Sequence, residues 1–433
     1  MEPILIGYVS LAAITLAIYV GVHVAIALAG VSLFGVWAVT GKLKLAMNFV
    51  ALAATDSIAD YTFGVVPLFV LMGLTVSETG LGRDTFAVIA ARLHHWRGGL
   101  GVATVLSNAV FAAITGVSIA SAAVFSKVAV PEMIRAGTAR SVAVGVVAGS
   151  SVLGMLIPPS LLLILFAILT DTSVGDLFIG GIGPGLLLTF AYIGYLSLLG
   201  YFRPNLFTLP SDMPSDADVP IRAILPVVGL AGLVLSGIYM GFFTPTEAGA
   251  VGAAAALVIG FAMRRIGARA AWRISVQTGH ITAAVCFLII GASIYSRMLA
   301  FSGVPASITQ IALNSGIGPT EFLLLFAALL IILGTVLDSS SIMLVTVPLA
   351  FPITQQMGVH TVHFGLITVL AVEIGLLTPP LGLSVFVVQS SLRDIGVTLG
   401  EVFRGAAPFA LIMATTLIAL VFIPQIATGL LSR

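Results

Sequence analysis

Two short stretches hold the residue types on which chemistry could be built, GMLIPPS at 154–160 and GLLTPPL at 375–381. Each sets a glycine and a Pro-Pro pair inside an apolar run. Proline removes a backbone hydrogen bond and clashes with the preceding turn. In lipid that damage is tolerated only where the freed backbone faces protein or a wet cavity. Gly149, Ser150 and Ser151 stand ahead of the first proline pair, while Gly375, Thr378 and Ser384 surround the second. Two more clusters interrupt apolar segments: Thr115, Gly116, Ser118 and Ser121, and then Asp338, Ser339, Ser340 and Ser341. Neutral hydroxyl and carbonyl oxygens suit a monovalent cation such as sodium. Helix N-termini beside a break carry partial positive charge and can hold a carboxylate. One site type therefore accommodates Na⁺ and an anionic substrate together. A single serine is equally well explained by helix packing or by a bond to its own helix. Paired clusters beside paired prolines point to a site. Asp338 and Glu373 would be intramembrane carboxylates, which are functional hypotheses by default. Asp338, at a loop tip, is assigned to the site. For Glu373 a carboxyl that merely caps the break is an equal alternative.

Other chemistries lack their residues. The histidines are scattered, and no His/Asp/Glu group has metal-ligand spacing, so no transition-metal site and no cofactor are expected. The single cysteine, Cys286, rules out a disulfide framework or a Cys-based metal site. No GxxxxGK[ST] motif exists, so ATP hydrolysis by that route is excluded. No nucleophile–base constellation argues for an enzyme. A formal net charge of +1 offers no footprint for nucleic acid.

The elements that must position these residues follow from composition. The chain is 59% hydrophobic and 8% charged, against about 25% charged in soluble domains, with mean hydropathy +1.18. It is an all-α integral membrane protein lying in the lipid bilayer. The opening MEPILIGYVS has no basic n-region or cleavage site and reads as a retained first span. Spanning segments of about 20 apolar residues fall at 4–20, 22–40, 61–80, 139–170, 178–201, 224–243, 246–263, 275–298, 362–390 and 404–430, about ten in all. GFFTPTEAGAVGA, 241–253, reads as a turn into a helix, with Thr244 or Thr246 as the cap and Glu247 in the first turn.

The polar linker 203–222 divides the chain nearly in half, and landmarks recur across it. One constant shift along the sequence carries Gly154 onto Gly375, Pro158 onto Pro379, Pro131 onto Pro352, and Ser118 onto Ser339. Segment 98–134 is flanked by Arg92, Arg97, Arg135 and Arg140, so both of its ends lie on the cytoplasmic side. It reads as a re-entrant helical hairpin. Its partner, 319–353, has no Lys or Arg at either end and enters from the opposite face. One half is an inverted copy of the other, and both termini are expected in the periplasm. Lys42, Lys44 and Arg297 are exceptions to this charge rule.

Five stretches, FGVVPLFVLMG (63–73), GVSIASAAVF (116–125), GSSVLGMLIPPS and its continuation to 187, GFFTPTEAGAVGA, and TPPLGLSVFVVQ (378–389), resemble the large membrane subunit of tripartite ATP-independent periplasmic (TRAP) transporters. The similarity covers essentially the whole chain. The resemblance implies a bacterial inner-membrane, sodium-driven importer of an organic acid. It would work with a small four-helix membrane subunit and a periplasmic substrate-binding protein. It also implies an inverted-repeat elevator. Segments 98–170 (hairpin 98–134, broken helix 139–170) and 319–390 (hairpin 319–353, broken helix 362–390) would move. Segments 1–97, 171–202, 223–318 and 391–433 would be scaffold. By motif position, the sodium sites would use Ser118, Ser121, Gly149 and Ser150, and Ser339, Ser340, Gly375 and Thr378. Thr115, Gly116, Ser151, Pro158, Asp338, Ser341, Pro379 and Ser384 would line the substrate site. A stand-alone sodium-coupled dicarboxylate or anion transporter of related architecture is the alternative.

Overall fold

The computed structural model describes residues 2–59, 61–207 and 220–431, so part of the linker, 208–219, lies outside the described residues. Among the described residues the chain is helical, with one isolated bridge, Thr138 to Phe207. The first half runs α1 (Pro3–Tyr19), α2 (Val24–Thr40), α3 (Leu43–Ala59), α4 (Val65–Glu78) and α5 (Leu81–Leu93). A helical hairpin follows, α6 (Gly99–Thr115) and α7 (Ser118–Arg135). Then come α8 (Arg140–Ser151), the single turn α9 (Leu153–Leu156), α10 (Leu161–Thr170) and α11 (Val174–Phe202). The second half holds α12 (Leu225–Tyr239), α13 (Pro245–Ala262), α14 (Ala268–Ser302) and α15 (Val304–Asn314). Its hairpin is α16 (Pro319–Gly334) and α17 (Ser339–Gln356), followed by α18 (Thr361–Gly375), α19 (Leu383–Ser391), α20 (Leu399–Phe422) and a last turn, α21 (Gln425–Thr428).

Both hairpins turn where the sequence places polar tips, and both broken helices stop at the proline pairs. The hairpin helices are short. The 16 residues of α16 rise about 24 Å, less than the roughly 30 Å hydrocarbon core. Six helical segments of the described chain are long and apolar enough to cross a bilayer, or seven if the bent pair α4–α5 counts as one. Helices α1, α2, α6, α16 and α18 are apolar but shorter.

The predicted span 61–80 is the clearest difference from expectation. Helix α4 ends at Glu78 and the chain bends by 58° into α5. Gly80 supplies the bend with φ +72°. Arg265 donates to the Thr79 carbonyl at the bend (3.1 Å) and to Asp84 beyond it (2.5 Å), while Arg273 pairs with Glu78. Two guanidinium groups from the α13–α14 region thus hold both flanks of the bend. Helices α3, α5 and α15 were not among the expected spans. Their polar residues lower the mean hydropathy that reveals a span. Arg297, an exception to the charge rule, pairs with Asp56 of α3 at 2.9 Å, so its charge is met locally.

Candidate ion and substrate site

Each break meets the tip of its own hairpin through the backbone. The Leu161 N–H, just past the first proline pair, donates to the Gly116 carbonyl at 3.1 Å. The Leu381 N–H, just past the second, donates to the Thr335 carbonyl at 3.2 Å. Prolines free the local helix groups, and the tip takes one of them up. Both Pro-Pro peptides, Pro158–Pro159 and Pro379–Pro380, are cis. Close approach demands glycine. Gly116 takes φ +63° against the Pro159 carbonyl. A Cβ on Gly375 would lie 2.5 Å from Gly334 Cα and 2.8 Å from the Ile331 carbonyl oxygen.

At the first tip Ser118 and Ser121 are fully buried, one helical turn apart on α7, and neither hydroxyl has a hydrogen-bond partner. Asn108 of α6 donates through Nδ2 to Ser150 Oγ at 2.6 Å, and its Oδ1 is unpartnered. Ser150 in turn donates to the Val146 carbonyl of its own helix at 2.6 Å. A cavity of about 10 Å³, close to the size of one water, lies between Thr115, Gly116, Val117, Pro159 and Ser160. Gly149 and Ser150 are within α8 rather than in the gap, which opens at Ile157–Ser160.

At the second tip Ser339 Oγ donates to Glu373 Oε1 at 3.2 Å, and both residues are buried. Glu373 Oε2 and Ser384 Oγ have no partner. The Ser118 hydroxyl of the first tip lies against the same Glu373 carboxyl without a hydrogen bond of standard geometry. One carboxyl therefore stands between the two tips. Asp338 caps α17, accepting from the Ser341 N–H at 3.0 Å and from the Ser341 hydroxyl. Ser340 is half-buried.

Several expected site hydroxyls are spent on their own helices. Thr115 donates to the Phe111 carbonyl (3.0 Å), Ser151 to Ala148 (2.8 Å) and Thr378 to Ile374 (2.8 Å). A hydroxyl bonded this way keeps lone pairs free. Ser118, Ser121, Ser384 and Asn108 each keep a buried oxygen without a hydrogen-bond partner, the type of donor a hard cation takes. Asn108 was missed by the sequence reading. It lies in mid-helix, away from the glycine and proline landmarks, and its partner is 42 residues away.

A crevice of about 290 Å³ opens between α14 and the end of α10. Ser293, Ser296 and Arg297 line one wall, and Leu169 and Asp171 the other.

The family model for the tripartite ATP-independent periplasmic transporter, DctM component, matches residues 11–426. The chain belongs to that family. The C4-dicarboxylate TRAP transporter large permease protein of Pseudomonas aeruginosa is 34% identical over 88% of each chain. That of Rhodobacter capsulatus is 30% identical over 89% of this chain and 90% of its own. An ectoine/5-hydroxyectoine TRAP transporter large permease of Ruegeria pomeroyi is 30% identical over 84% of each. Among solved structures, the Alcanivorax borkumensis YdaH transporter superposes with TM-score 0.63 at 16% identity, covering 89% of each chain. That likeness speaks to fold alone. This DctM-type chain is a multi-pass large permease subunit of a TRAP secondary transporter, not an enzyme.

Proposed function

We propose that this subunit imports an organic-acid anion across the bacterial inner membrane, driven by sodium, with a small membrane subunit and a periplasmic binding protein as partners. The observation that carries the sodium reading is the pair of mirrored breaks, each bonded to its hairpin tip, with unpartnered buried oxygens on Ser118 and Ser121 at the first tip and on Glu373 and Ser384 beside the second break. Two relatives named for C4-dicarboxylates make a small dicarboxylate the first substrate to try. Relatives named for sialic acid and ectoine define the range around it.

In this reading the two hairpins and broken helices move as one body against a scaffold. Helices α11 and α20, given to the scaffold by the resemblance, are grouped in this reading with that body because of their contacts with it. Gly145 of α8 and Gly405 of α20 meet backbone to backbone. The Phe409 ring of α20 contacts Tyr192 and Tyr195 of α11 at centroid distances of 5.0 and 5.4 Å. His363 Nε2 of α18 bonds the Leu420 carbonyl of α20 at 2.7 Å. Arg140, at the start of α8, donates to the Ile395 carbonyl at 2.8 Å. The crevice at Arg297 lies on the seam between this body and α14, and Asp56, which also lines it, pairs with the guanidinium.

The test is uptake by proteoliposomes holding this chain and its small subunit. Transport should require both an inward sodium gradient and the binding protein. Unchanged uptake in sodium-free, proton-clamped vesicles sinks the coupling ion. Uptake without the binding protein favours the stand-alone alternative. A thermal-shift screen of the binding protein against organic acids should name the substrate.

A further inference from the structure

Glu373 is buried without any exposed surface, in a helix whose residues Val362–Gly375 are all buried. None of the ion pairs among the described residues includes it. A buried carboxylate without a countercharge is costly by several kcal/mol, and within a membrane such a group marks a functional position. Its neighbours give the role. Ser118 and Ser339 hold the same position in the two repeats, related by the shift that superposes the proline pairs. The Glu373 carboxyl accepts a hydrogen bond from the Ser339 hydroxyl and faces Ser118. The first repeat has Val152 at the position corresponding to Glu373, so the molecule has one such carboxyl serving two tips.

We propose that Glu373 is a positioning residue that couples the two hairpin tips, so that a cation at one tip raises affinity for a cation at the other. This rests on the sodium reading above. A cation at either tip supplies the missing countercharge, and the carboxylate so ionised only accepts hydrogen bonds. A serine that turns its one proton to the carboxylate presents its remaining lone pairs elsewhere, toward a cation. Ordering Ser118 around a first cation fixes the carboxyl, and the fixed carboxyl orders Ser339 for the second. A glutamine fills the same volume but offers an N–H₂ at one end. That donor opposes one of the two hydroxyl protons, so only one tip can be set correctly.

The experiment is a sodium titration of uptake by the reconstituted complex with its binding protein, for wild type, Glu373→Gln and Glu373→Asp. Wild type should show a Hill coefficient above one. Glu373→Gln should bring it to one and raise the half-saturating sodium about tenfold, in the usual range for coupling between sites. Its maximal rate at saturating sodium should stay within about threefold of wild type, since the transport path is intact. Glu373→Asp keeps the acceptor chemistry and should restore a coefficient above one. An unchanged coefficient in Glu373→Gln overturns the proposal while leaving the sodium reading standing, as does a wild-type coefficient of one. A wild type indifferent to sodium overturns both. If Glu373→Gln does not assemble, the double-mutant cycle of Ser118→Ala and Ser339→Ala decides the matter. Sodium affinities that change non-additively by about fivefold or more support coupling, and additive changes reject it.

Discussion

The two repeats share a backbone plan and differ in what they cover. Around the first break, Pro158, Pro159 and Ser160 are buried, as are Thr115, Gly116 and Ser118 at the tip above them. Around the second, Pro379, Pro380 and Leu381 are exposed, and so are Val336 and Asp338 of the tip. The first tip is closed by α4, where a Cβ on Gly73 would come within 3.0 Å of the Thr115 carbonyl oxygen. The surrounding helices differ too. Helix α14 runs unbroken for 35 residues. Its first-half counterpart is split into α3 and α4, with a 3₁₀ turn at Tyr61–Gly64. Pro67 lies in the first turn of α4, where its missing N–H is not needed, and α14 has no proline. Duplication therefore preserved the joint between hairpin and break, while access and charge diverged: the first tip is mostly buried, the second is exposed at Val336 and Asp338, and only the second repeat supplies a carboxyl, Glu373, where the first has Val152.

Substitution at the paired glycines tests the shared joint hardest. A methyl on Gly375 meets fixed backbone at 2.5–2.8 Å, whereas on Gly154 the nearest atoms, of Val117 and Ser118, are 3.1 Å away. Gly375→Ala should cost about 1–3 kcal/mol by overpacking, equivalent to as much as about a hundredfold in the population of the native joint. Gly154→Ala should cost less. Thermal unfolding of the purified complex ranks the two, and equal losses would erase the predicted asymmetry. Next comes access. With Cys286 replaced by alanine, Val336→Cys (47% exposed) should react with a small maleimide at least about ten times faster than Thr115→Cys (4% exposed). Matching rates would mean that the sealed and open tips exchange freely. Ser118→Ala and Ser339→Ala should each raise the sodium required for half-maximal uptake by about five- to tenfold, the scale of one ordinary hydrogen bond of about 1 kcal/mol. Sodium titrations that leave both variants at the wild-type value would remove these residues from the ion site.

How much of this was readable beforehand depends on the range of the signal. The hairpin edges and both breaks announce themselves, because Gly and Pro inside an apolar run are local signals and a single constant shift repeats them in the second half. Helix α5 was hidden because LGRDTFAVIAARL has too many polar residues to register as a span, although it packs Leu81, Phe86 and Val88 inward. Asp338 was assigned to the site from its position at the tip, and its geometry is that of a helix cap. Glu373 was visible, yet its role was not. Ser339 is 34 residues away, and Ser118 belongs to the other repeat. The burial of one tip and the exposure of the other leave no trace in the Gly-x-x-x-Pro-Pro pattern that both repeats share.

The finest difference between the repeats is at a helix start, and it gives the smallest expected effect. Helices α2 and α13 are counterparts, since the shift that relates the proline pairs also carries the first residue of α2, Val24, onto that of α13, Pro245. Helix α13 opens with a capping box: Thr244 Oγ1 accepts from the Glu247 N–H at 3.3 Å, and Glu247 Oε2 accepts from the Thr244 N–H at 2.8 Å. Helix α2 opens at His23, with no side-chain cap. The first four N–H groups of a helix have no partner within it, so the box satisfies donors that α2 leaves to its surroundings. Thr244→Ala should therefore destabilise the complex by about 1 kcal/mol, and His23→Ala by much less. Denaturation of the two variants in the same detergent gives the comparison. A larger loss at His23 would mean that its ring, stacked on Phe287 at 5.9 Å, anchors α2 to α14 more firmly than a cap anchors α13.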